Sequence, residues 1–349
     1  MRGLSLPNLK SLGLGNISKI EGVDSVSFPT ASFGKLKQVS KGKDSTTGHW
    51  ELSGIQVDYD FSYFPSGFPR EMMEKFLDLT GCKGYLGNKA AAGTEIIKEF
   101  GDDHLKTKYP IVYTSADSVF QIAAHEKVIP LERLYEICRI TREKVLEYPY
   151  VVGRVIARPF VGSSGIYKRT PNRRDFSLDP HAATILDFLY DAKVQTISVG
   201  KIADLFNGRG ISRKESSKSN AEGCSIILEL AKTVKNSFVF ANLVDFDVYF
   251  GHRNDPKGFA NALASFDRFL PRLLDLLDES DVLVITADHG NDPTTSSTDH
   301  SREYVPLIYY RVGKFGKDLG IRETFADVGI TVADFFKIDT DLNGKSFLN

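Results

Sequence analysis

The apolar run "DVLVITA" (281–287) stops at Asp288-His289, and the same dipeptide returns at Asp299-His300. A second run, "SFVFANLV" (237–244), stops at Asp245 and Asp247 and leads into Gly251-His252. Short runs rich in Val, Ile, Leu and Phe read as buried strands. Strands that end in carboxylates and imidazoles constrain the whole fold. In open α/β sheets, ligands gather beyond the carboxyl ends of the strands. Two adjacent strands of this kind would place Asp247, His252, Asp288, His289 and His300 around one crevice.

The rest of the chain fits that architecture. Further strand signals are "YPIVYTSA" (109–116), "VVGRVIARPF" (151–160) and "VQTISVG" (194–200). Runs of helical period lie between them, at 130–148, 181–192 and 256–280. The first sets Leu131, Leu134, Tyr135, Cys138 and Val145 along one face, behind Pro130. The last contains Pro271, which should kink the helix or split it, because proline removes a main-chain donor. Strands alternating with helices imply an α/β fold with mostly parallel sheet between helices. The stretch 61–177 has a different texture, with loop-rich segments such as "FPSGFPR" and "VGSSGIYKRTPNRRD". It reads as an inserted α+β cap. The main domain is then discontinuous, built from 1–60 and 178–349.

Composition narrows the classes of partner. The formal net charge is −1 across 349 residues, so no overall basic field draws in nucleic acid or an anionic membrane. An anionic ligand has to be held locally. No apolar run approaches the roughly 20 residues of a membrane span, and the start lacks the apolar core of a signal peptide. The three cysteines are far apart in sequence, which fits reduced thiols in a cytoplasmic protein.

Carboxylate plus imidazole suits Zn²⁺, Mn²⁺ or Fe²⁺ better than Ca²⁺ or Mg²⁺. Five candidate ligands exceed the usual shell of one catalytic zinc, so the count fits two ions, a device suited to phosphoryl transfer. A single Asp-His in a loop is more often a solvated turn. The repetition of the pattern at two strand ends weighs against that reading. Asp245 and Asp299 read as orienting or capping groups, and His104, His125 and His181 as core or surface residues.

These segments resemble the prokaryotic phosphopentomutase family. The resemblance rests on "VDFDVYFGHRND", "ITADHGNDPTTSSTDHSREYVP" and "RETFADVGIT", with "GKDSTTGHWEL" (42–52), "GNKAAAGTEII" (87–97), "YTSADSVFQIAAHE" (113–126) and "KRTPNRRDFSL" (168–178). It covers essentially the whole chain. It implies an alkaline-phosphatase-like core and interconversion of (deoxy)ribose 1-phosphate and (deoxy)ribose 5-phosphate. It also implies two Mn²⁺ ions, a phosphorylated enzyme residue and a sugar bisphosphate activator. By resemblance, Asp247, His252 and His300 hold one ion, and Asp288 and His289 the other. The family's nucleophile is a threonine after Lys-Asp; here that position is Ser45, which supplies the same hydroxyl. The cap would bind the pentose phosphate through Ser115, Asp117 and Ile156, with Arg154, Arg169 and Lys201 as a cationic clamp.

One departure from the family stands out. The family begins with an apolar strand ending in an "LDSxGIG"-like motif, whose aspartate serves the second ion. This sequence starts "MRGLSLPNLKSLGLGN", and residues 1–20 contain no aspartate. The expectation is a weakened metal site and impaired activity. The alternatives are a related metal-dependent phosphatase or phosphomutase, or an inactive remnant that only binds metal or sugar phosphate.

Overall fold

The computed structural model describes residues 4–115 and 118–348. The chain divides into two compact units, Met1–Tyr59 with Pro180–Asn349, and Asp60–Asp179.

The first unit carries two sheets. Gln195–Val199 lies between Ser237–Ala241 and Arg213–Glu215, and all three strands run parallel. The other sheet is mixed, ordered Leu283–Ile285, Val305–Tyr310, Ser32–Leu36, Asp318–Arg322. The two chemistry-bearing strands, Ser237–Ala241 and Leu283–Ile285, are therefore not neighbours in one sheet, as the sequence suggested. Each is the outer strand of a different sheet, and both are half-buried. The reason lies in pairing. Leu283–Ile285 takes Val305–Tyr310 as an antiparallel partner, while Ser237–Ala241 takes Gln195–Val199 in parallel. Side chains connect them instead, because Phe240, Val282, Val284 and Ala287 pack on one cluster with Leu36, Leu52, Leu307 and Phe325.

Helices cover these sheets. Pro256–Leu274 continues through Pro271 as one helix, so of the expected kink or split the split does not occur. Pro271 cannot donate to the carbonyl of Asp267, four residues earlier. The Asn8 side chain takes that role, with Nδ2 donating to Asp267 O at 3.0 Å. The Asp267 carboxylate in turn accepts from the main-chain N–H groups of Asn8 and Leu9. Leu6, Leu9 and Leu12 then bury against Leu270 and Ile308, so the short helix Pro7–Ser11 is pinned along the longer one.

Placement of the helix Ser45–Leu52 matters most for chemistry. Asp44 caps it, accepting from Thr47 N at 3.1 Å and from Thr47 Oγ1 at 2.7 Å. Satisfying an otherwise unpaired first-turn N–H in this way contributes about 1 kcal/mol. Trp50 is fully buried and donates its indole N–H to Leu205 O. Glu51 is also fully buried, and its carboxylate accepts from Val39 N, Ser40 N, Thr324 Oγ1 and Phe325 N. A buried carboxylate persists only when its lone pairs are taken up this way. Here it fixes the loop that leads into Ser45.

In the Asp60–Asp179 unit, a six-stranded sheet runs Leu86–Ala90, Ile111–Thr114, Val119–His125, Arg154–Val161 and Lys168–Arg169, with Arg174–Ser177 also paired to Arg154–Val161. Strand alternation sorts its side chains. Phe120, Ile122, Val155 and Ala157 face Met72, Phe76, Leu134 and Cys138. Tyr113, Ala123 and Phe160 face Ile96 and Ile97 of the helix Gly93–Thr107 on the other side. No helix among the described residues is long and apolar enough to cross a membrane.

Candidate metal centre

The site grows from two chain turns, each following one of the outer strands. After Ser237–Ala241 the backbone enters a π-helical turn, Phe246–Gly251, which projects Asp247 and ends at His252. After Leu283–Ile285 come Asp288 and His289, and the loop returns through His300. A Cβ on Gly48 would lie 1.9 Å from the carbonyl oxygen of Asp288. Only a glycine lets the helix Ser45–Leu52 approach that turn so closely.

The structure brings Asp247, His252, Asp288, His289, His300 and Ser45 together. Asp247 is the hub. Its Oδ1 lies 3.0 Å from His300 Nε2 and its Oδ2 lies 3.2 Å from His252 Nε2. Asn291 Nδ2 donates to Asp247 Oδ1 at 3.0 Å. Ligand atoms of Asp247, His289 and His300 all lie within 4.8 Å of one another. The His289 and His300 rings stack with centroids 3.7 Å apart. Asp288 Oδ2 stands 3.4 Å from His289 Nε2, and the Ser45 hydroxyl is 3.2 Å from that same nitrogen. The two sets of ligands suggested by the sequence are thus contiguous, with His289 facing Asp247 and His300 on one side and Ser45 on the other.

The tautomers suit a divalent cation. His252 Nδ1 is 2.7 Å from Thr298 O, His289 Nδ1 is 3.2 Å from Gly290 O, and His300 Nδ1 is 3.1 Å from Lys43 O. A main-chain carbonyl can only accept, so each Nδ1 carries a proton, and in the neutral ring Nε2 is then the atom free to ligate. That outer bond is what orients metal-ligating imidazoles. Three Nε2 atoms and two carboxylates stand together. Asp288 Oδ2 is shut off from solvent and accepts no well-formed hydrogen bond. Only the His49 and His289 rings, at 3.1 and 3.4 Å, stand beside that buried anionic oxygen, and a carboxylate so buried favours a cation next to it. The donor set and this underserved oxygen both fit a metal ion held here.

The electrostatics agree. Burial raises the Asp288 carboxyl, but the adjacent His49 and His289 rings overcome this and hold it well below the usual carboxylate range. Burial also raises Asp247, and the His300, His252 and His289 rings more than reverse it. For His289, burial prevails and lowers its proton affinity; for His300, burial lowers it but Asp247 and Asp288 raise it further.

Sequence reasoning missed His49. This residue is buried, with Nδ1 2.8 Å from Ser45 O and 3.1 Å from Asp288 Oδ2. The signal was present: His49 follows Ser45 by four residues, which places both on one helix face. Glu51 and Asn291 were also overlooked. Asp245 binds Asn220, exchanging bonds through its N–H and Oδ2. Asp299 pairs with Lys43 at 2.7 Å and accepts from His300 N. Lys201 belongs to the same unit as this cluster, and its charge opposes protonation of His49.

The remaining sequence candidates belong to the Asp60–Asp179 unit. Ser115 is half-buried at the end of Ile111–Thr114. Ile156 is buried in Arg154–Val161, and Arg154 opens that strand, 3.6 Å from Asp175. Arg169 lies in the short strand Lys168–Arg169. Asp117 lies outside the described residues.

Comparison with known proteins bears on this centre. Residues 1–340 match the model of the metalloenzyme superfamily. The chain is 55% identical over 348 residues to a phosphopentomutase of Dictyoglomus thermophilum, covering 99% of this chain and 88% of that one. It is 52% identical over 346 residues to a phosphopentomutase of Clostridium acetobutylicum, with the same coverage. Among solved structures, a protein from Pyrococcus horikoshii superposes with a TM-score of 0.51 at 18% identity, covering 98% of this chain and 92% of that one. At that identity the likeness bears on the fold alone.

Proposed function

Because the chain belongs to the phosphopentomutases of the metalloenzyme superfamily, we propose that it interconverts (deoxy)ribose 1-phosphate and (deoxy)ribose 5-phosphate through a phosphorylated Ser45. The observation that carries this reading is the Ser45 hydroxyl, set at a helix start beside the Asp288–His289 half of the cluster.

Ser45 is the nucleophile. It occupies the first turn of a capped helix, where main-chain N–H groups and the helix dipole favour the negative charge of a phosphoryl group. His49 and Glu51, on the same helix, hold Asp288 and the preceding loop in place. Asp247, His252 and His300 would hold one ion, and Asp288 and His289 another, both Mn²⁺. Such ions, when bound, neutralise charge on the transferring group and make the serine hydroxyl more acidic. Phosphorylated Ser45 gives its phosphoryl group to the free hydroxyl of a pentose monophosphate. The resulting bisphosphate turns over, and its other phosphate returns to Ser45. The segment 61–177 serves as the substrate-binding cap, with Ser115, Asp117 and Ile156 against the sugar and Arg154, Arg169 and Lys201 toward the phosphate. It also has to exclude water, or the phosphoenzyme hydrolyses. Unpaired thiols at Cys82, Cys138 and Cys224 support a cytoplasmic location, and the mutase activity itself would place the enzyme in nucleoside catabolism.

Product analysis with ribose 5-phosphate, Mn²⁺ and a catalytic amount of sugar bisphosphate tests the proposal. Ribose 1-phosphate should accumulate without matching release of inorganic phosphate. EDTA should abolish the conversion and Mn²⁺ restore it. Stoichiometric phosphate release would assign a phosphatase instead, and full activity in metal-free protein would overturn the metal-dependent reading.

A further inference from the structure

The loop that carries His300 also holds the segment that leads to Ser45. The two stretches run antiparallel and pair as strands as far as Leu36 and Val305. Beyond that point side chains join them. Asp299 pairs with Lys43 Nζ at 2.7 Å, and His300 Nδ1 lies 3.1 Å from Lys43 O. Arg302 makes the broadest contact. Its Nη1 donates to Gln38 O at 3.4 Å, and its Nη2 to Ser40 O at 2.7 Å and Gly42 O at 3.3 Å, with Lys41 O also in contact. One guanidinium thus gathers the carbonyls of Gln38, Ser40, Lys41 and Gly42.

The opposite polarity is served from the helix Ser45–Leu52. The buried Glu51 carboxylate accepts from Val39 N and Ser40 N. An anion therefore takes donors of this segment, and a cation takes its acceptors. Main-chain groups that leave a strand ladder need such partners. A planar fork with several N–H groups reaches a row of carbonyls in a way that the point charge of a lysine does not. Arg302 is itself tied to the cluster. Its neighbour Ser301 exchanges main-chain hydrogen bonds of 2.9 and 3.0 Å with Gly290. This bridge closes the base of the loop between His289 and His300, whose rings stack.

We propose that Arg302 is a positioning residue that couples the His300 loop to the nucleophile. His300 and Arg302 move as one body, and the main chain at 38–43 follows them. Ordering of His300 by a bound metal then also orders the approach to Ser45. Arg302 acts through the main chain. The inference rests on the reading of Ser45 as nucleophile beside a metal centre and deepens it, by naming what links the two.

The test uses the full chain. Hydrogen exchange at 38–43 and at 288–300 is followed by mass spectrometry, with and without Mn²⁺, in wild type, R302A, R302K and the exposed control K314Q. In wild type, Mn²⁺ should slow exchange in both segments. In R302A it should still slow exchange at 288–300, while its effect at 38–43 shrinks roughly tenfold or more. With ribose 5-phosphate and Mn²⁺, kcat of R302A should fall roughly 10–100-fold, as misplacement of a reacting group does, with a smaller change in KM. R302K should lie between, free guanidinium should restore part of the R302A loss, and K314Q should match wild type. Equal slowing at 38–43 in R302A and wild type, or no slowing there in wild type, would overturn the coupling while leaving the mutase reading intact. Arg302 is exposed, so R302A should fold; if it does not, R302K decides by the same comparison. If wild type does not isomerise the sugar phosphate, the mutase reading falls, and exchange decides the coupling alone. A smaller Mn²⁺ effect at 38–43 in R302A then supports it, and an equal effect refutes it.

Discussion

The Ser45 hydroxyl stands 3.2 Å from His289 Nε2, joining a helix start to the loop that carries half of the metal cluster. If Ser45 accepts the phosphoryl group, Ser45→Ala should lower kcat by roughly 10³-fold or more, as removal of a nucleophile does. Ser45→Thr, which keeps a hydroxyl, should retain much of the activity. Incubation with isotopically labelled sugar bisphosphate should label wild type and the threonine variant, and leave the alanine variant unlabelled. Label retained in Ser45→Ala would move the nucleophile elsewhere.

His49 contacts Asp288 without reaching the centre of the cluster. Replacing it with alanine removes the charge partner that holds Asp288 ionised and in place. Loss of such an orienting group typically weakens metal affinity by about 10–100-fold. Mn²⁺ titration followed by calorimetry should show this drop in His49→Ala. Equal affinity in the two proteins would remove His49 from the site.

His104 should make the Asp60–Asp179 unit sensitive to acid. Its Nδ1 donates to Tyr109 O at 2.6 Å, and its Nε2 accepts from His125 N at 2.9 Å. Both nitrogens are committed, so the ring is held neutral. Burial lowers its proton affinity below the ordinary value, outweighing the Tyr109 bond. The unfolded chain then takes up the proton first. The contribution to stability is complete above about pH 6.5 and is lost as pH falls through the lower folded-state value. Thermal melts from about pH 8 to about pH 5 should show a steeper fall in wild type than in His104→Gln. Parallel curves would exclude His104 as the cause.

Asn8→Ala should destabilise the protein by about 1–3 kcal/mol, because the Asp267 carbonyl beside Pro271 loses its donor. Denaturant unfolding measures this. The companion variant Pro271→Ala in the Asn8→Ala background restores a helical N–H and should recover part of the loss. No recovery would mean that Asn8 acts through its other contacts with Asp267.

Much of this was legible in the sequence, and the division follows physical range. Apolar runs announce strands because burial of alternate or consecutive residues is a local pattern. Asp247, Asp288 and His289 could be named because they sit where such runs stop, and His300 because the Asp-His pair recurs in the following loop. Other features depend on contacts between distant segments. Glu51 reads as an ordinary helix acid until Thr324 and Phe325 arrive at its carboxylate. The pairing that sends Ser237–Ala241 and Leu283–Ile285 into different sheets depends on competition among strands, which no single run encodes. Pro271 is a case of the same kind: the donor that replaces its missing N–H comes from Asn8, 259 residues before the Asp267 carbonyl it serves.

That last arrangement changes what kind of object the helix Pro256–Leu274 is. Its final turn is not autonomous, since one of its rungs is supplied by a side chain from the other end of the sequence. Cut out as a peptide, the segment should fray at Pro271, whereas the docked segment acts as a splint. Secondary structure here is a product of assembly, and the continuity of the last turn reports whether residues 6–12 have found their place.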